Sequence, residues 1–255
     1  MKIRVGRIPY LNSEPFYYEL VRDDIELLPL VPSALARAAE GGEVDAGPLS
    51  LVDYLRLEDR FTRLGQFCIA TLEKARSVLL YSKLPIHELD GANIGVIGDT
   101  STSVRLLEVL LTHRYQVKPA SYLPLDQPND AFLIIGDEAL RRRYGVPSYP
   151  YRYDLGEEWY RWHRMPFVFA LWAVRRDMSE KQAAYLENVL YSCIDEGLEH
   201  MYVIGQNRED VRMSSREIVE YYQGFRYWAG VGEHKAIELF KGYLGSLDST
   251  GSGAG

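Results

Sequence analysis

The sequence predicts an α/β fold of two lobes with a central ligand cleft and two crossover strands. Three observations predict it. Short β-like runs alternate with amphipathic helical stretches through the first two-thirds of the chain, the pattern of an α/β protein. A self-contained α/β unit in the middle is bracketed by two strongly apolar strands. Strand signals then stop after Met178, and three helices follow. On pattern alone a single larger α/β domain stays open.

The elements follow in order. Residues 3–8 read as the first strand. Ser13 offers an N-cap to a helix over residues 14–21, whose first turn tolerates Pro15. Residues 25–31 form a second strand. Pro32 and Ser33 open a helix that Gly41 and Gly42 close, a glycine stop. Residues 44–47 are a short strand end and 49–57 a helix. Residues 76–82 are the first apolar bracket strand. The inner unit has a strand at 93–97, a helix at 102–113 and a buried strand at 131–135 that ends at Gly136 and Asp137. Residues 166–174 are the second bracket strand. Ser179 with Gln182 gives a capping-box pattern for a helix to about residue 202, and further helices begin near Ser215 and Glu233. These elements place residues 1–82 and 170–246 in one discontinuous lobe and 83–169 in the other. Residues 247–255, rich in glycine and serine, read as a disordered tail. A ligand would sit between the lobes, where loops converge at the carboxyl ends of strands.

Composition narrows the function. The chain has 255 residues, 47% hydrophobic and 25% charged, which is enough apolar material for a sizeable core. Its formal net charge of -7 argues against nonspecific nucleic-acid binding, which needs a basic surface. A few aimed donors could still hold an anionic ligand. The first residues run into a strand with no apolar signal core, and no stretch suits a membrane span, so the expected location is cytoplasmic. Cys68 and Cys193 are far apart and read as buried free thiols.

Four strand-to-helix turns could carry chemistry. At Tyr10-Leu11-Asn12-Ser13, unpaired amides and a positive helix dipole could hold an anion, or Asn12 and Ser13 could merely cap the helix. The turn Gly98-Asp99-Thr100-Ser101-Thr102-Ser103 offers hydroxyls and amides for a carboxylate, or again caps. Paired across two lobes, these turns suit a ligand with two carboxylates. At Gly136-Asp137 a buried strand ends in a glycine that allows close approach, and Asp137 either meets a ligand or caps the next helix. Ser50 either faces the cleft or starts a helix. The five histidines lack metal-ligand spacing, so a zinc site is not expected. There is no Walker loop, no nucleophile elbow and no dinucleotide fingerprint. Trp159, Trp162, Trp172 and Trp228 read as packing residues. The tyrosine-rich run 217–228 reads as a packing face that could also serve a homodimer contact.

Taken in order, several segments resemble the chorismate dehydratases of the futalosine route to menaquinone. They are Arg7-Ile8-Pro9-Tyr10-Leu11-Asn12-Ser13-Glu14-Pro15-Phe16, Val31-Pro32-Ser33, Val44-Asp45-Ala46-Gly47, residues 77–82 and Asp99-Thr100-Ser101-Thr102-Ser103. Residues 133–140, Asp154-Leu155-Gly156-Glu157-Glu158-Trp159 and residues 166–170 complete the set, which covers the chain to about Tyr243. The sister dihydroxynaphthoate synthases of the pathway open on a Ser-Pro-Cys-Pro-Asn-Asp type motif and carry a second-lobe catalytic histidine. This chain has neither, since His113 lies at the far end of a helix.

The resemblance implies a periplasmic-binding-protein-like (type II) fold. It implies dehydration of chorismate to 3-[(1-carboxyvinyl)oxy]benzoate, a lyase reaction that needs no metal or organic cofactor. On that reading Ser101, Thr102 and Ser103 hold one carboxylate, with Ser77 nearby and Tyr10, Leu11, Ser50, Gly136 and Asp137 lining the site. Asn12 orients the other carboxylate. An amide is a poor base, so the substrate's own enolpyruvyl carboxylate would take the proton. Asp137 and Asp45 are the protein-borne alternatives. The competing class is a non-catalytic cytoplasmic binding protein for an aromatic or dicarboxylic acid.

Overall fold

The structure, a computed structural model, describes residues 2–98, 101–206 and 208–251. The chain begins with β1 (Ile3–Arg7), a 3-10 turn (Leu11–Tyr17), β2 (Ile25–Pro29), α1 (Pro32–Gly41), β3 (Ala46–Ser50), α2 (Leu51–Arg56) and β4 (Phe61–Thr71). Next come β5 (Val78–Ser82), β6 (Asn93–Val96) and α3 (Thr102–Val109), which runs on as a π-helical turn (Leu110–Tyr115). They are followed by β7 (Ser121–Pro124), β8 (Ala131–Ile135), α4 (Gly136–Arg141), β9 (Tyr151–Asp154) and α5 (Leu155–His163). The last part holds β10 (Phe167–Arg175), α6 (Glu180–Glu199), α7 (Met201–Gln206), α8 (Ser215–Gln223), β11 (Phe225–Trp228) and α9 (Val231–Gly251).

Two compact units result. The first comprises residues 1–70, 99–102 and 169–228, and the second residues 71–98, 103–168 and 229–255. A six-stranded sheet ordered β11-β4-β10-β3-β1-β2 organises the first, and a five-stranded sheet ordered β7-β6-β8-β5-β9 the second. In the first sheet β1 runs parallel to β2 and β3, whereas β10 runs antiparallel to β3. In the second, β6 runs parallel to β7 and β8, and β5 is antiparallel to β8 and β9. Within each sheet, parallel pairs with intervening helices put strand ends and helix starts on one edge: β1 and β3 lead into the Asn12 and Ser50 turns of the first unit, and β8 into the Gly136 turn of the second.

Each unit has its own aromatic core. Phe16, on the 3-10 turn, meets Phe67 edge-on at 6.1 Å, Trp172 at 5.1 Å and Tyr227 at 5.5 Å. In the second unit Trp159 packs on Phe167 at 5.2 Å and Phe240 at 6.0 Å. Trp159 and Trp172 are fully buried, as packing residues should be.

Several expectations change. The helix expected at residues 14–21 is a 3-10 turn, and Ser13 lies inside it, buried and not capping. Five of that turn's seven residues are buried, more than one stripe of an exposed amphipathic helix would allow. The chain leaves the first unit at the end of β4, not along residues 76–82, because β5 is hydrogen-bonded wholly within the second sheet. Residues from 169 onward, within β10, group with the first unit again, as Ser101 and Thr102 do before them. Strand signals do not end at Met178, since β11 pairs with β4. The tyrosine-rich run, by contrast, packs as expected: Tyr221, Tyr222 and Tyr227 are all buried. The final helix groups with the second unit, not the first, because Phe240 sits on Trp159 and Phe167. Residues 247–251 are helical rather than disordered, and residues 252–255 lie outside the described residues.

Candidate active site

The Asn12 turn is built from the backbone outward. Its carbonyls would be stranded in an aromatic core without donors, and two buried phenols supply them. The Tyr222 hydroxyl donates to the Leu11 carbonyl at 2.8 Å, and the Tyr227 hydroxyl donates to the Asn12 carbonyl at 3.0 Å. Burial pushes both phenols well above their ordinary range, so they remain neutral donors. The Tyr17 hydroxyl donates to the Gly6 carbonyl at 3.1 Å and fixes the strand that feeds the turn. Beside it Glu14 is held by Arg7 at 2.8 Å and Arg208 at 3.0 Å. Tyr10 packs on the apolar cluster around Ile8, Leu35 and Leu49.

Within the turn the Ser13 hydroxyl donates to Asn12 Oδ1 at 3.3 Å. That contact engages the carbonyl end of the amide. The nitrogen end, with its two protons, remains a donor matched to a carboxylate.

A second group in the first unit joins Ser50 and Ser101 through a residue that sequence reasoning missed, with Thr102 bonded beside them to the backbone of α2. Asp53, buried on α2, accepts from the Ser50 hydroxyl at 2.6 Å and the Ser101 hydroxyl at 2.7 Å, both at Oδ2. Its other oxygen pairs with Arg56 at 3.1 Å, and Arg56 also pairs with Glu40. Ser50 caps α2 by accepting from the Asp53 amide at 3.3 Å. Thr102 Oγ1 accepts from the Val52 amide at 3.0 Å. The helix-start reading of Ser50 is therefore realised. Asp99 and Thr100 of the same turn lie outside the described residues.

In the second unit Ser77 and Gly136 are neighbours, since the Gly136 amide donates to the Ser77 carbonyl at 2.8 Å. Gly136 has φ +60°, a conformation in which glycine is at ease. Asp137 follows it, buried inside α4 and not capping that helix. The backbone before Ser77 is organised by Asp154, whose carboxylate accepts from the amides of Ala75 at 3.0 Å, Arg76 at 2.6 Å and Glu157 at 3.1 Å. Burial pushes the Asp154 carboxyl above its usual range against the pull of those amides. Ser103, buried at the start of α3, belongs to this unit.

Asp45 is poorly suited to act as a base. Arg4 holds it through Nη2 at 2.7 Å, Nε at 3.1 Å and the backbone amide at 2.9 Å, and Arg175 adds a contact at 3.4 Å. Burial works to raise its carboxyl, but the Arg4 bonds outweigh it and the net shift is downward. Among the described residues no group of three or more His, Cys, Asp or Glu could hold a metal ion. Among the same residues no helix is long and apolar enough to cross a membrane.

Comparison with known proteins agrees with this architecture. The structure resembles protein AF1704 from Archaeoglobus fulgidus at a TM-score of 0.75 and 19% identity, covering 97% of this chain and 98% of that one. It also resembles the periplasmic aliphatic sulphonate binding protein SsuA from Escherichia coli, with a TM-score of 0.65, 11% identity and coverage of 98% and 87%. The fold is thus that of the periplasmic binding proteins. In sequence the chain is 28% identical over 262 residues to a chorismate dehydratase from Thermus thermophilus, with 94% of each covered. Residues 3–246 match the family described as menaquinone biosynthesis, and to that family the chain belongs.

Proposed function

We propose that this chain is a chorismate dehydratase of menaquinone biosynthesis, acting in the cytoplasm on chorismate to give 3-[(1-carboxyvinyl)oxy]benzoate. The observation that carries the proposal is the similarity to a chorismate dehydratase across nearly all of both chains. The Asn12 turn supports it, because the amide nitrogen is the end matched to a carboxylate.

The reaction balances without an oxidant or reductant. The C–H bond at the ether-bearing ring carbon breaks, and its electron pair becomes a ring double bond. The neighbouring C–O bond breaks, and the hydroxyl takes a proton and departs as water. Aromatisation of the ring drives the step. The enolpyruvyl carboxylate of the substrate takes the ring proton while Asn12 donates to it and fixes its direction. Positioning of this kind is worth several powers of ten when the reacting atoms are held in line. The second carboxylate is assigned to Ser103 and Ser77 together with backbone amides. Asp137 remains the protein-borne alternative for the base, and Asp137→Asn would then abolish turnover.

Mixing the protein with chorismate tests the proposal. Ultraviolet spectra should change to those of a substituted benzoate, and mass spectrometry should show a product lighter by one water. A folded protein that leaves chorismate unchanged would support a binding protein for an aromatic or dicarboxylic acid instead.

A further inference from the structure

We infer that Asp53 is a positioning residue that fixes Ser101 against α2, beside the bond of Thr102 to the Val52 amide, so that these two hydroxyls shape the turn instead of holding the ligand. The inference deepens the dehydratase reading and rests on it for its kinetic arm.

The geometry starts from proton counting. A serine hydroxyl has one proton and two acceptor positions. Ser101 gives its proton to Asp53 at 2.7 Å, so it has none left for a substrate carboxylate. Ser50 gives its proton to the same oxygen at 2.6 Å. Asp53 Oδ2 thus gathers two serines that lie 51 positions apart in the chain, and Arg56 at 3.1 Å balances its charge. One residue further on, Thr102 Oγ1 takes up the Val52 amide, a group that the cap of α2 leaves open. Two side chains in a row are therefore tied to α2. Gly98 and Ser103, on either side, group with the second unit, while Ser101 and Thr102 group with the first.

This arrangement divides the hydroxyl turn by role. Ser101 and Thr102 hold the backbone in place. Ser103, beyond the attachment, is the hydroxyl assigned above to the carboxylate. Losing Asp53 would release the backbone at Ser101 and require the ligand to order it, which weakens binding more than it slows the chemical step.

The test uses the full chain with Asp53→Ala, Ser101→Ala and the double variant. Turnover of chorismate and amide hydrogen exchange at Ser101 and Thr102 are both measured. Asp53→Ala and Ser101→Ala should each raise KM about tenfold, with kcat held within about threefold. The double variant should be no worse than the poorer single one, because both act through one bond. Exchange at the two amides should quicken in Asp53→Ala. An unchanged or lower KM in Asp53→Ala would mean that Ser101 donates to the ligand once freed, and the inference would fall. Fully additive penalties would overturn it as well. If the wild-type chain does not turn over chorismate, the functional proposal fails separately and the exchange arm still decides: faster exchange upholds the positioning role and equal exchange overturns it. Asp53→Asn keeps an acceptor oxygen in place and serves where the alanine variant does not fold, with an intermediate effect expected in both readouts and no effect in either counting against the inference.

Discussion

In the first unit the Asn12 turn hangs from two phenols, whereas in the second the backbone leading to Ser77 hangs from one carboxylate. Tyr222 and Tyr227 donate to turn carbonyls; Asp154 accepts from three loop amides. The phenols spread their load over two residues, and each is neutral through the range where proteins work. The carboxylate concentrates three bonds on one side chain and changes charge in acid. The first anchor should therefore fail gradually and ignore acid, and the second should fail at once and respond to pH.

Asp154→Ala is the largest blow to this contrast. It leaves three amides without their acceptor, at a cost of about 3 kcal/mol or more in denaturant unfolding. A loss below about 1 kcal/mol would break the comparison. Gly156→Ala comes next. A Cβ there would sit 3.0 Å from the Ala75 nitrogen, the Glu73 carbonyl oxygen and Thr71 Oγ1, so the same loop must shift, at about 1–3 kcal/mol. Tyr222→Phe and Tyr227→Phe should each cost about 1 kcal/mol, and should do so equally at pH 5 and pH 8.

The pH arm sharpens the contrast further, because two carboxylates carry opposite signs. Asp45 is held below its usual range, so its stabilisation is present above about pH 4 and is lost as pH falls through its folded value. Asp45→Asn should then cost most near neutrality and least in acid. Asp154 is raised, so its favourable contribution is complete below about pH 4 and is lost as pH rises through its folded value. The penalty of Asp154→Asn should accordingly be larger in acid than at neutral pH. Urea unfolding of both variants at several pH values checks the two slopes. The smallest effect concerns the thiols. Both cysteines are buried and neither is in a disulfide, and burial pushes Cys193 up to about 11, so neither should react with a thiol reagent before unfolding.

Legibility in the sequence followed the range of the interactions. β8 was readable at both ends because an apolar run bounded by Asp130 and Gly136 is a local signal. The starts of α1 and α6 were readable for the same reason, from Pro32 and from the capping pair Ser179 and Gln182. β4 was missed because Gly65, at φ +54°, and the polar Gln66 interrupt its alternation. β11 was missed because four residues after a helix give too short a period to read. At the site, the four turns were visible as strand-to-helix transitions. Their supports were not, since Tyr222 reaches Leu11 across 211 positions and Asp53 reaches Ser101 across 48. An acid three residues after a serine on an amphipathic helix reads as an ordinary capping pair, and only the fold adds the second serine.

The turnover of Asn12→Ala with chorismate, set beside that of the wild type, tests the central claim most directly. The account predicts that kcat falls by about 100-fold or more while KM and the thermal midpoint stay near their wild-type values. Full turnover with weakened binding would contradict it, and would reduce Asn12 from the residue that directs the elimination to one contact among several.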